Sequence, residues 1–202
     1  MIRNFPDFSR KIKEFFTRNL PAKKIINENP LRAELFSMDQ FELHAKFLAE
    51  KHTVSLKKNR EKLLIRLKDN EQILLRTNKM LNEAAKAKNT ITPAGEWILD
   101  NYYLIEEQIR LAQKFFPKVY SRELPGLSSG PMSGYPRVYD IAMEIVSHGD
   151  GRIDVAGLTA FITSYQRVKK LKLGELWAIP IMLRLALIEN LRRVSVYMMA
   201  TQ

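Results

Sequence analysis

The stretch VSLKKNREKLLIRLKDNEQILLRTNKMLNEAAKAK, residues 54–88, decides the fold class. Its leucines recur three, four or seven residues apart, which places them on one face of a helix; they are Leu56, Leu63, Leu67, Leu74 and Leu81. Sustained seven-residue spacing is typical of a long antiparallel hairpin or a coiled-coil-like arm. Because the chain has only eight glycines in 202 residues and no alternating strand pattern persists, we expect an all-α, multi-helix bundle.

Helix start and stop signals flank this stretch. Ser37 followed by Gln40 is a capping-box pattern, so a helix should begin there and end near residues 52–55. Thr92 and Pro93 mark the next start, with Thr92 as the cap, and Pro117 ends that helix. The remaining predictions are a loop over 117–136 and helices over 137–148, 154–169 (capped by Asp154) and 175–199 (kinked or delayed by Pro180).

The chain divides into three predicted parts, residues 1–30, 31–91 and 92–202. The first holds an amphipathic helix over residues 5–19 and a linker, the second the long hairpin or arm, and the third a helical domain. The helix over residues 5–19 has an aromatic face opposite a basic face. That pattern suits either a membrane surface or docking on the protein's own core or on another domain, and we favour docking because the helix is short.

Composition limits the classes of protein to which this chain can belong. There is no cysteine, so a disulfide framework and thiolate metal sites are excluded. We find no apolar run of the length that a membrane span needs, and we expect a soluble protein. The net charge is +11, and residues 1–90 hold most of it, with 20 Lys and Arg against 11 Asp and Glu. A solvated helix surface is the simplest interpretation; an anionic membrane surface is the main alternative, and nucleic acid is not expected.

The usual signatures of catalysis are missing from the sequence. It has no Gly-rich phosphate loop, no HExxH and no DxD pair for a nucleotide-sugar metal. His44 and His52 are eight residues apart with no carboxylate at ligand spacing, so we expect no zinc site. Residues 150–154 look like the middle of a calcium loop, but the flanking positions lack carboxylates. We therefore predict no catalytic residue, no cofactor and no metal.

Charged and aromatic residues form the candidate interaction or structural network. Its members are Glu96, Trp97, Arg122, Glu123, Tyr135, Arg137, Glu175, Trp177, Glu189 and Arg193, with Arg192 beside the last. Glu189 and Arg193 are four residues apart, in the favourable order for a helical ion pair. The network is either a docking surface or sugar-binding cleft, or a buried ion-pair network with the tryptophans in the core, and we favour the second.

Three sequence segments resemble those of a known family. They are PAGEWILDNYYLIEEQI (93–109), GYPRVY (134–139) and GELWAIPIMLRLALIENLRR (174–193). Over roughly residues 88–197, the chain resembles the N-terminal region of the cyclic β-1,2-glucan synthases. The resemblance implies a cytosolic region that precedes the membrane spans, a glycosyltransferase domain that uses UDP-glucose and a phosphorylase-like domain. Because the chain ends at Gln202, we expect the family's catalytic domains to be missing from it.

The resemblance predicts a non-catalytic, cytoplasmic helical module of a glucan synthase with a structural or regulatory role. Its partners would be other domains or subunits of the synthase, and peripheral contact with the inner membrane is left open. The alternatives are a stand-alone basic protein that binds anionic membranes or a partner protein, and a sugar-binding module that uses Trp97 and Trp177.

Overall fold

The structure, a computed structural model, describes residues 28–31, 33–55, 61–149 and 153–201. The predicted amphipathic helix over residues 5–19 lies outside these ranges. Within them the chain forms an all-α bundle, which confirms the predicted fold class. The helices are α1 (Met38–Lys51), α2 (Leu63–Lys86), α3 (Pro93–Phe115), α4 (Lys118–Glu123), α5 (Arg137–His148), α6 (Val155–Val168) and α7 (Leu173–Thr201).

The predicted caps begin three of these helices. Ser37 Oγ accepts from the Gln40 amide at 3.4 Å, and Gln40 Oε1 accepts from the Ser37 amide at 2.8 Å, a complete capping box. Thr92 caps α3 by accepting from the Gly95 amide at 3.2 Å, with Pro93 as the first helical residue. Asp154 caps α6. These local signals satisfy amides that a helix start leaves without a partner, which is why the sequence alone located them.

Two of the predicted elements differ from the structure. The helix predicted over residues 54–88 corresponds to α2, but Val54 and Ser55 at its predicted start are not helical. Val54 instead forms a β-bridge with Leu127, and the Ser55 amide donates to the Gly126 carbonyl at 2.8 Å. The predicted loop over 117–136 contains α4, which starts directly after the fixed backbone of Pro117. The predicted last helix is present as α7, which begins at Leu173 and continues through Pro180; the proline does not delay it, and a kink there stays a prediction.

The helix α7 lies at the centre of the bundle and packs against α5, α2 and α3. Helices α2 and α3 run antiparallel: Leu81 lies beside Gly95 near the turn, and Gln113 bonds Glu71 at 3.0 Å further along. Helix α1 packs against α6. The core that results draws buried apolar side chains from every helix except the short α4. The division of the chain into three domains stays a prediction.

Candidate functional site

A buried carboxylate organises the largest group of charges that the described residues contain. Glu189, on α7, is only 1% exposed. Its oxygens accept from Arg66 Nε at 2.9 Å and Nη2 at 2.6 Å, and from Asn70 Nδ2 at 2.9 Å, both on α2. They also accept from Arg192 Nη2 and from Arg193 Nε at 2.8 Å. One carboxylate therefore joins α7 to α2 through Arg66 and Asn70, and it also holds two arginines of its own helix.

A second carboxylate completes what we call the Glu189 cluster, made of Glu28, Arg66, Glu189, Arg192 and Arg193. Glu28 accepts hydrogen bonds from Arg66 and Arg192 and lies 3.9 Å from Arg193 Nη2. Burial opposes the charge on Glu189, but the hydrogen bond from Arg66 and the positive charges around it outweigh that cost and hold the pKa of Glu189 well below its usual value. Glu189 is therefore ionised at neutral pH.

A separate ion pair ties the start of α5 to the start of α7. Arg137 donates to both oxygens of Glu175, from Nε at 2.6 Å and from Nη2 at 2.7 Å, and Nη2 also reaches the Lys170 carbonyl at 2.8 Å. The Lys172 amide donates to Glu175 at 2.8 Å. Glu175 is fully buried and Arg137 is 6% exposed. This bidentate geometry is the strong form of an arginine–carboxylate contact, and it fixes how α7 enters the bundle.

Next to this ion pair, a chain of hydrogen bonds passes through a histidine. His52 Nδ1 lies 2.8 Å from the Tyr165 hydroxyl, and His52 Nε2 lies 3.0 Å from Asp140 Oδ2. Burial raises the pKa of Tyr165 to about 12, although Arg137 opposes the shift. Both ring nitrogens of His52 are engaged and its side chain is 4% exposed. This arrangement positions helices and leaves His52 no free nitrogen for proton transfer to a substrate.

His148 lies close to His44 at a second site, between α1 and α5. The side chains of His44 on α1 and of Glu144 and His148 on α5 offer ligand atoms that lie within 4.8 Å of one another. The sequence has no carboxylate at ligand spacing from His44, but the fold brings Glu144 Oε2 to 2.7 Å from its Nε2. Glu144 and His148 are four residues apart on one helix face, and that spacing was the available sequence signal.

An exposed apolar groove runs between α3 and α7. Its volume is about 390 Å³. Its lining is mostly apolar and comprises Trp97, Leu104, Ile105, Gln108, Pro180, Leu183, Arg184, Leu187, Ile188 and Leu191. Arg184 Nε donates to Gln108 Oε1 at 2.9 Å and so bridges the two helices. Trp177 precedes Pro180 by three residues and extends the same stripe of α7. We call this surface the α3–α7 groove.

The expectation that the two tryptophans lie in the core is wrong. Trp97 is 53% exposed and Trp177 is 72% exposed. Glu96, Arg122 and Glu123 are exposed as well. The structure thus places nine of the ten candidate residues of the network either in the two buried ionic groups described above or at exposed positions.

Tyr135, the remaining candidate, is half-buried, and its ring lies 5.7 Å from that of Tyr139. Burial raises the pKa of Tyr135, with Arg66 of the Glu189 cluster opposing the shift. Arg66, Asn70 and Tyr165 were missed at the sequence level. Each lies on a helix that otherwise has an ordinary apolar pattern, and nothing in its local sequence indicates a partner 28 to 123 residues away.

No protein-family model matches the sequence. The chain is 37% identical, over 184 residues that cover 88% of its length, to the cyclic β-(1,2)-glucan synthase NdvB of Rhizobium meliloti (strain 1021). The chain belongs to the cyclic β-1,2-glucan synthase family. It spans 6% of the length of that relative, so it corresponds to a small segment of a cyclic β-1,2-glucan synthase.

This segment of the synthase family has no described helix that is both long and apolar enough to cross a bilayer. Even α7, with 29 residues, carries Arg184, Glu189, Arg192 and Arg193. Those charges hold the bundle together through α2 and α3, and their place in the fold explains why so apolar a helix is interrupted by arginines.

Proposed function

We propose that this chain is a non-catalytic helical module of a cyclic β-1,2-glucan synthase and docks on another cytosolic part of the synthase through the α3–α7 groove. The observation that supports this most is the exposed Trp97, which lines an apolar groove, together with the exposed Trp177 three residues before Pro180 of the same groove. A large exposed apolar patch on a folded domain commonly marks an interaction site.

The length of the relative indicates which kind of partner could occupy the α3–α7 groove. The matched segment is 6% of the R. meliloti synthase, so a domain of this kind has a large amount of other protein close to it in the same polypeptide. Exposed tryptophans contribute strongly to binding when a partner covers them, because they bury a large area at little cost in conformational entropy. The occupant that we propose is an apolar segment of the synthase itself.

The state of the buried carboxylates also supports a structural role. Glu175 and Glu189 are each held by arginine side chains at hydrogen-bonding distance. A glycosyl transfer site needs groups that face the substrate, either as a general base or as ligands of a metal ion that holds the sugar nucleotide. These two carboxylates face arginines that lock helices together, which is the work of a scaffold.

A segment exchange in the R. meliloti synthase tests the proposal. The matching segment of the synthase is replaced by this chain, and cyclic glucan made by membranes of the producing cells is measured. A second hybrid carries Trp97→Ser and Trp177→Ser. The control hybrid carries Val119→Ser and Val155→Ser, two exposed apolar residues at 70% and 80% exposure that lie away from the groove. Because all four side chains are exposed, neither pair of changes should unfold the bundle.

We expect the unmodified and control hybrids to make glucan and the tryptophan hybrid to make at least about tenfold less, the effect of about 1.4 kcal/mol of lost docking energy. Equal output from the tryptophan and control hybrids would show that the groove does no docking. An inactive unmodified hybrid would contradict the proposal that this chain can supply the segment's role. Glucosyl transfer from UDP-glucose by the isolated chain would contradict the non-catalytic assignment.

Flotation of the isolated chain with vesicles distinguishes this proposal from the alternative of a protein that binds anionic membranes. Binding to vesicles with acidic lipids that weakens with salt, and that persists in the tryptophan double variant, would favour an anionic membrane surface as the partner.

A further inference from the structure

Three potential metal ligands converge between α1 and α5. His44 Nε2 lies 2.7 Å from Glu144 Oε2, and His148 Nε2 lies 3.5 Å from the same oxygen. The side chains are only partly accessible, with 20% of His44, 31% of Glu144 and 13% of His148 exposed. Two imidazoles and one carboxylate form a ligand set that binds Zn²⁺ in proteins, with a fourth position left for water.

The second nitrogen of His148 is held in the way that metal-binding histidines require. His148 Nδ1 lies 2.8 Å from the Glu34 carbonyl oxygen. Because a carbonyl can only accept, Nδ1 carries the hydrogen in this bond, and in the neutral ring Nε2 then presents its lone pair to the Glu144 carboxylate. Such a hydrogen bond to a backbone carbonyl fixes both the tautomer and the ring orientation of a ligand.

The Phe36 ring also restrains the rings of His44 and His148. Phe36 stacks on the His148 ring with centroids 3.7 Å apart and an interplanar angle of 12°, and its edge meets His44 at 5.3 Å. Apolar side chains around a metal site limit the access of water and strengthen the attraction between the ion and its ligands. The two imidazole rings are therefore restrained before an ion arrives, as a binding site requires.

Glu144 is available in the charged form that coordinates a metal. His44 Nε2 and His148 Nε2 both lie within 3.5 Å of Glu144 Oε2, so a positive charge at this point stabilises the ionised carboxylate. The pair formed by the Glu144 oxygen and the His148 lone pair is favourable only when a cation lies between them. A metal ion can serve as that cation, as can a proton.

We propose that His44, Glu144 and His148 bind a divalent transition-metal ion, Zn²⁺ in the first place, and that the ion clamps α1 to α5. In a tetrahedral site with bonds of about 2.0–2.1 Å, ligand atoms lie about 3.3 Å apart. The 3.5 Å separation of His148 and Glu144 already fits. The 2.7 Å separation of His44 and Glu144 opens by about 0.6 Å once the proton between them is displaced.

The metal ion would link α1 to α5, two helices that pack mainly against other partners. Helix α1 packs mainly on α6, whereas α5 packs on α7. Glu144 also lines a cleft of about 590 Å³ that contains Asp140, Ser147 and Lys51, and this cleft can supply the water of the fourth position. Mg²⁺ and Ca²⁺ are poor candidates, because they prefer oxygen ligands to imidazole.

The experiment uses the full chain without a histidine tag, after treatment with a chelator. Calorimetry with ZnCl2 measures affinity and stoichiometry, thermal unfolding measures the stabilisation, and visible absorption of added Co²⁺ reports tetrahedral nitrogen and oxygen ligands. The variants are Glu144→Gln and His148→Gln. The matched control is Glu34→Gln, which removes an exposed carboxylate beside the site and keeps the carbonyl that holds His148.

We expect one Zn²⁺ per chain, a higher unfolding temperature with zinc and a tetrahedral Co²⁺ spectrum. Both ligand variants should weaken zinc binding by at least about 100-fold, the upper end of what losing an outer-shell partner costs, while Glu34→Gln stays close to the unmodified chain. No zinc binding, or binding that survives both ligand changes, would overturn the proposal. If circular dichroism shows that His148→Gln does not fold, the near-isosteric Glu144→Gln decides the result.

Discussion

Replacing Glu189 with glutamine tests whether the Glu189 cluster holds α2 against α7. The change keeps the size of the side chain and removes one negative charge. The glutamine has one carbonyl oxygen in place of two carboxylate oxygens, and its amide NH₂ points hydrogens at arginines that are themselves donors. Arg192, which is fully buried, would then lie beside Glu28 as the remaining carboxylate of the cluster.

The size of the effect follows from the burial of the partners. Removing one partner of a buried ion pair costs about 3–5 kcal/mol, because the charge that remains is left uncompensated. Arg66 and Arg193 keep 15% and 17% of their side chains exposed, so water can solvate them in part and the lower end, about 3 kcal/mol, applies. For a chain of this size, a loss of about 3 kcal/mol lowers the unfolding temperature by roughly 6–12 °C.

Urea and thermal unfolding, followed by circular dichroism, measure this difference. The matched control is Glu123→Gln, which removes the same charge at an exposed position at the end of α4 and should change the free energy of unfolding by no more than about 0.5 kcal/mol. A Glu189→Gln variant as stable as Glu123→Gln would show that the cluster contributes nothing net, and the argument for an ion-pair scaffold would fail.

Two further predictions concern the loss of stability at acidic pH and the packing around two glycines. Because the folded pKa of Glu189 lies below its usual value of about 4.3, its contribution is present above that pH and is lost as the pH falls further. Stability measured between pH 6 and about pH 2.5 should therefore drop more steeply in the unmodified chain than in Glu189→Gln, and equal slopes would contradict this. The second prediction is that Gly95→Ala loses about 1–3 kcal/mol to overpacking, since its methyl group would lie 2.7 Å from Ile91 and 3.0 Å from Leu81. Gly174→Ala, whose methyl would meet nothing nearer than 4.0 Å, should gain up to about 1 kcal/mol of helix stability, and a loss at Gly174 comparable with that at Gly95 would refute the packing argument.

Local sequence signals located most of the helices because their causes are local. The capping box at Ser37, the Thr92–Pro93 start and the Asp154 cap each depend on atoms within three residues. One error came where a distant segment intervenes. Val54 leaves the expected helix because it pairs with Leu127, more than seventy residues along the chain, and no pattern around Val54 records that partner.

The candidate residues show the same division between local and distant causes. The ion pair of Glu189 with Arg193 follows from four-residue spacing on a helix and is present at 2.8 Å. The contact of Glu189 with Arg66 depends on how α2 packs against α7, and periodicity shows which face is buried but not what it meets. The exposure of Trp97 and Trp177 was missed because large aromatic residues are usually mostly buried.

The central place of α7 has a consequence for how the chain is made. Ribosomes build proteins from the N-terminus, so α2, α3 and α5 emerge well before the helix that their apolar faces pack against. Until residues 173–201 leave the exit tunnel, those faces have no native neighbour in the middle of the bundle. We expect a nascent polypeptide arrested before residue 173 to bind trigger-factor-type chaperones, and one released after residue 201 to escape them.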